Sequence, residues 1–96
     1  MMKYSINIYT PDGELEKTVG TDFVSTNTFI KAVKALQDIE GVNDLSLIVD
    51  RLADVICYLI PSINKDTVLN GCDVGDMLNV VKQVVNKMTG IDPSKN

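Results

Sequence analysis

The chain has 96 residues, 45% of them hydrophobic, and a formal net charge of −4 with no histidine. That length supports one small domain with a single core and is too short for two. No apolar run approaches the roughly 20 residues of a membrane span, residues 1–9 lack a signal-peptide pattern, and the lone arginine, Arg51, argues against the clustered basic face of a nucleic-acid binder.

The expected setting is therefore the cytoplasm, with neither nucleic acid nor a membrane as partner. Residues 1–34 carry four lysines against four acids, and residues 35–90 carry four basic residues against eight acids. With residues 91–96 balanced, the helical part holds the whole negative excess.

Tyr4, Ile6 and Ile8 alternate with Ser5, Asn7 and Tyr9, the period of a half-buried strand, and Leu15 and Val19 repeat the pattern less strongly. Between them, Pro11 suits the first central position of a type I turn, Asp12 the second, and Gly13 the left-handed residue that makes a bulge. An antiparallel hairpin follows. Two strands alone are marginal, so this pair must lean on helices or gain a third strand, from Phe23 and Val24 or from another molecule.

Residues 25–28 offer several caps for a first helix whose stripe is Phe29, Ala32, Val33, Leu36 and Ile39. It is expected to end at Gly41. Asn43 and Asp44 can cap a second helix, in which Leu45, Ile48, Leu52, Val55, Ile56 and Leu59 recur at helical spacing. Pro61 stops it at about residue 60, because proline restricts its predecessor and has no amide to donate. Asn64 opens a short helical turn closed by Asn70 and Gly71, residue types that enter left-handed backbone easily.

Asp73 then caps the last helix, with Asp76 near the positive end of its dipole. At about 100° per residue, Val74, Met77, Leu78, Val80, Val81, Val84, Val85 and Met88 share an arc of about 160°. One neighbour needs a stripe of only about 100°. This helix is therefore expected to be the centre of the helical unit, or to lend part of its face to a partner. As the centre, it would not tolerate aspartate at Leu78 or Val81. The fold class is α+β: an N-terminal antiparallel β-hairpin followed by a small bundle of three main helices plus a short helical turn. Residues 1–90 form the domain and residues 91–96 a flexible polar tail.

Ingredients for chemistry are few. Histidine is absent, no Gly-rich phosphate loop occurs, and Cys57 and Cys72 have no base at a recognisable spacing. Asp50 with Asp54, and Asp73 with Asp76, read as a solvated face and a capped helix start. No catalytic, cofactor-binding or metal-ligating residue is assigned, and no enzyme is expected. Leu47 and Tyr58 instead fall on the Asp54 side of the second helix, away from its main stripe. With Val80, Val84 and Met88 of the last helix, they make up the candidate partner-binding set.

These features together resemble the small tail assembly chaperones of long-tailed bacteriophages, in particular those of phages and prophages of Gram-positive bacteria. In that family a strand pair leads to a phenylalanine, an aliphatic residue and a first helix with a Lys-Ala step, the places held here by Phe23, Val24, Lys31 and Ala32. An aliphatic helix over 45–60, Ile63 in the turn, Thr67, Gly71 and a last helix over 73–88 fit the rest. Asn27 and Ile30 replace arginines of the family pattern, Ile60 and Ile63 replace aromatics, and Cys72 replaces an aliphatic residue.

The resemblance implies an assembly role without catalysis. Such chaperones coat the long tape measure protein before tail tube subunits polymerise, and are absent from the finished tail. It also implies a longer frameshifted form through which the tail tube protein is a second partner, with Lys95 and Asn96 compatible with an A-rich slip site. Self-association into a homo-oligomer is left open. The other reading is a generic protein–protein adaptor or regulatory domain, while a ligand-binding domain would need an enclosed pocket with converging polar groups.

Overall fold

Alternation in the first strand and turn chemistry after it produce the expected hairpin in the computed structural model, which describes residues 3–89, with side chains through Asn86. Strand β1 (Tyr4–Tyr9) pairs antiparallel with β2 (Leu15–Thr21). Gly13, at φ 85°, closes the turn, its amide donating to the Thr10 carbonyl at 2.9 Å while the Thr10 amide donates to Glu14 at 2.8 Å.

The register then shifts: Ile8 faces Lys17, but Tyr9 faces Leu15, leaving Glu16 as an extra residue on β2. Such a bulge reverses which way the following side chains point. Val19 accordingly pairs with Ile6 on the core side, whereas Leu15 joins Tyr9 on the other side and is exposed. Leu15 and Val19 therefore do not share a face as their spacing suggests.

No third strand forms among the described residues. Phe23 is exposed, and the Thr21 hydroxyl turns the chain by bonding both the carbonyl and the amide of Phe23. Support for the hairpin comes from helices instead. Tyr4, Ile6 and Ile8 are buried, and β1 packs against α3 (Lys65–Gly71) and α4 (Val74–Thr89).

Helix α1 (Thr26–Gln37) starts at Ser25, whose hydroxyl accepts from the Thr28 amide at 3.1 Å. It ends at Gln37 rather than Gly41. From there the amides of Ile39, Glu40 and Val42 bond three residues back, and Gly41 takes a φ of 80°. Helix α2 (Leu45–Leu59) is capped by Asp44, whose carboxylate accepts from Ser46 and Leu47, and it stops before Pro61 as expected.

The centre of the helical layer is α2, not α4. Leu52, Ala53, Val55, Ile56 and Leu59 are all buried, and α1, α3 and α4 each pack on this helix. Small residues let α1 come close, since it buries Ala32 and Ala35. Helix α4 buries Met77, Val80 and Val84 but leaves Leu78 45% exposed, so its apolar arc is split between core and surface. Aspartate at Leu78 is consequently not expected to unfold the protein.

Gly71 also departs from its expected role. It lies within α3, and left-handed backbone is confined to Gly13 and Gly41 among the described glycines. What disfavours a side chain at Gly71 is proximity: a Cβ there would stand a tight 3.0 Å from Cγ2 of Ile8 and 3.4 Å from the Tyr9 carbonyl. Asp73 does cap α4, accepting from Gly75 at 2.8 Å and Asp76 at 3.3 Å. The tail expected at residues 91–96 lies outside the described residues.

Candidate interaction surface

The sequence-predicted partner set does not form one patch. Leu47 stands in the first turn of α2, its amide held by Asp44, and is 41% exposed. Tyr58 is half-buried, with Nζ of Lys31 lying 4.5 Å from its ring centroid. That cation–π contact makes Tyr58 part of the α1–α2 joint, although its edge still reaches solvent. Val80 and Val84 are 2% and 0% exposed, packed in the core between α2 and β1, so no partner can touch them while the fold is intact. The side chain of Met88 lies outside the described residues.

Other apolar residues reach the surface instead. Val74, Leu78 and Val85 on α4 are 54%, 45% and 41% exposed, with Val81 half-buried between them. Their spacing was the available signal, because the 160° arc is wider than one neighbour covers. A second group joins the start of α2 to the end of α3: Leu45, Val49 and Leu69, with Ser46 and Asp50, line a shallow apolar groove of about 420 Å³. Leu69 gave no such signal, since its exposure depends on how α3 docks on α2. Phe23, a strand candidate by sequence and the phenylalanine of the family pattern, is a large exposed apolar residue.

Polar groups serve the fold around these surfaces. Nζ of Lys65 on α3 lies 2.8 Å from Asp50 and 3.0 Å from Asp54 on α2, and Arg51 lies 3.8 Å from Asp54. The two aspartates thus clamp a lysine from the next helix instead of merely facing solvent. Hydrogen bonding to Asp50 and then Asp54 raises the pKa of Lys65. A concavity of about 310 Å³ between the hairpin turn and the start of α4 is lined by Tyr9, Gly13, Asn70, Gly71, Cys72, Asp73 and Asp76. There the Tyr9 hydroxyl donates to Asp76 at 3.5 Å and accepts from the side-chain Nδ2 of Asn7 at 3.3 Å.

Both thiols have pKa values raised above the ordinary cysteine value. Burial, then the charge of Asp54, raises the pKa of Cys57, with Lys65 opposing; burial, then Asp76 and Cys57, raises that of Cys72. A raised pKa disfavours the thiolate that nucleophilic or metal chemistry needs. Among the described residues no group of Cys, Asp and Glu is placed to hold a metal ion, and no helix is long and apolar enough to cross a membrane.

What the geometry offers is contact area: aliphatic side chains on an acidic, mainly helical domain, on faces that its own elements leave uncovered. No curated protein and no solved structure matches the chain. A family model described as phage tail chaperone protein matches residues 1–96, the whole length. The chain belongs to the phage tail chaperone protein family.

Proposed function

We propose that this tail chaperone acts by binding the tape measure protein during tail morphogenesis, in the cytoplasm of the bacterial host, and is absent from the finished tail. The observation that carries the reading is the exposure of Val74, Leu78 and Val85 on one helix in a domain of net charge −4. A long helical protein awaiting its tube exposes apolar faces that would otherwise associate with one another. A small acidic domain can cover such faces through aliphatic contacts and keep the coated complex dispersed through like charge. Each contact is weak enough to be displaced by tube subunits, and many copies along one chain make the coat effective. Catalysis has no part in this reading. A longer frameshifted form would bring in the tail tube protein as second partner, and the residues suggested for the slip, Lys95 and Asn96, lie outside the described structure.

Co-expression with the tape measure protein of the same genome tests the proposal. The tape measure protein is expected to be soluble and to co-purify only when this chain is present. A tape measure protein equally soluble without it, with no complex on gel filtration, would refute the proposal.

A further inference from the structure

Helix α4 has two apolar faces: one is buried in the domain, and the other is largely exposed, with only Val81 packed partly against the core. Met77, Val80 and Val84 are buried, while Val74, Leu78, Val81 and Val85 follow one another at intervals of four, three and four residues. At about 100° per residue this second row falls in an arc of about 60°, centred about 100° from the buried face. Alternating steps of four and three keep a row in line along a helix that winds around another helix. An irregular loop or a flat sheet would not need that period.

The rim narrows the occupant further. Lys82 lies just beyond the open edge of the row, is exposed, and makes no ion pair among the described residues, while Asp76 stands on the far side of the helix. In a chain whose excess charge is negative, the charged residue that α4 itself places beside this row is therefore a lysine. Two copies joined antiparallel through the row would set Lys82 near its own counterpart, an unfavourable pairing. The area also speaks against a stable dimer: four side chains fall far below the roughly 20–30 residues a side of a lasting interface. They suit one weak contact repeated along a long partner.

We infer that the row Val74, Leu78, Val81 and Val85 is a half coiled-coil seam that receives an amphipathic helix with aliphatic residues at heptad spacing and an acidic residue level with Lys82. The inference rests on the tape measure reading and assigns the surface through which it would act. The Leu45, Val49 and Leu69 groove is not that surface, because it is bordered by Asp50 and lacks a heptad row.

The experiment is co-expression of the tape measure protein with wild-type chain, Leu78→Lys/Val85→Lys, Val74→Lys, Lys82→Glu, Lys82→Arg and Leu45→Ser/Leu69→Ser, with thermal melting of each variant and sedimentation of the wild type and the lysine pair. Losing two central contacts is expected to lower the co-purified tape measure protein about tenfold or more. Val74→Lys, at the end of the row, and Lys82→Glu should each lower it by a smaller, measurable factor, while Lys82→Arg and the groove variant leave it unchanged. If the lysine pair melts early, Val74→Lys and Lys82→Glu carry the test alone. Wild-type capture with undiminished capture by folded row variants overturns the seam and leaves the tape measure reading standing. Absence of capture by the wild type overturns that reading and the seam with it. A dimer that the lysine pair dissociates would assign the row to a second copy and overturn the helix partner.

Discussion

Ile8 of β1 and Gly71 of α3 meet so closely that a single added carbon at Gly71 would lie 3.0 Å from the Ile8 Cγ2. This contact is how the hairpin seats on the helices. Gly71→Ala sets two effects against each other: better helix propensity, worth up to about 1 kcal/mol, and overpacking, which costs about 1–3 kcal/mol. The Tyr9 carbonyl stands 3.4 Å away on the same side and is backbone, so it gives less readily than a side chain. Urea unfolding should show a net loss of about 1 kcal/mol, and a gain would show that the hairpin shifts freely on α3.

Helix α2 is the centre of the fold, and truncation should show it. Ile56, fully buried, is expected to cost about 2–5 kcal/mol as Ile56→Ala. The half-exposed Leu78 should cost under about 1 kcal/mol as Leu78→Ala. Equal losses in denaturant titrations would contradict the division of α4 into an inner and an outer row.

A charge placed on α4 makes the same division all-or-none. Val80→Asp buries an unpaired carboxylate and is expected to abolish folding, since the cost of several kcal/mol rivals the whole stability of a small domain. Leu78→Asp should retain the helical circular dichroism and a cooperative melt.

Lys65 ties α3 to α2 through Asp50 and Asp54, which raise its pKa. A raised folded value means that the stabilisation is fully present below the unfolded lysine value of about 10.4 and is lost as pH rises through the folded one. The difference in melting temperature between wild type and Lys65→Met should therefore hold steady from neutral pH to about 9 and shrink above about 10.4. Added salt should shrink it too, because the cluster is solvent-exposed.

The thiols give a chemical probe of packing. With the pKa values of Cys57 and Cys72 both raised by burial, disulfide-exchange reagents should modify the native protein more slowly than the urea-unfolded chain at pH 8. The gap should narrow as the pH is raised. Native rates matching unfolded rates would mean that the α3–α4 junction around Cys72 and the face of α2 that carries Cys57 both open readily.

Local signals located the elements well. Alternation through Tyr4, Ile6 and Ile8, the Thr10 to Glu14 turn, the caps at Ser25, Asp44, Asn64 and Asp73, and the stop at Pro61 all act within a few residues, and each appears where it was expected. Properties set by distant residues were not legible. Gly71 owes its identity to Ile8, far earlier in the chain, so composition alone suggested a left-handed cap. The same holds for the surface. A period of 3.6 marks all eight apolar positions of α4 alike, and only the placement of α2 and β1 decides that Val80 and Val84 turn in while Leu78 and Val85 turn out.

The extra residue at Glu16 has an effect beyond the direction of Leu15. Among the described residues nothing pairs with the outer side of β2, and unguarded strands of this kind nucleate fibres when a protein accumulates. Here the kink breaks the straight run of amides, and Glu16 and Lys17 place charge at the break. The outer edge of β2 is thereby bent and charged, a poorer template for a further strand than a straight apolar one.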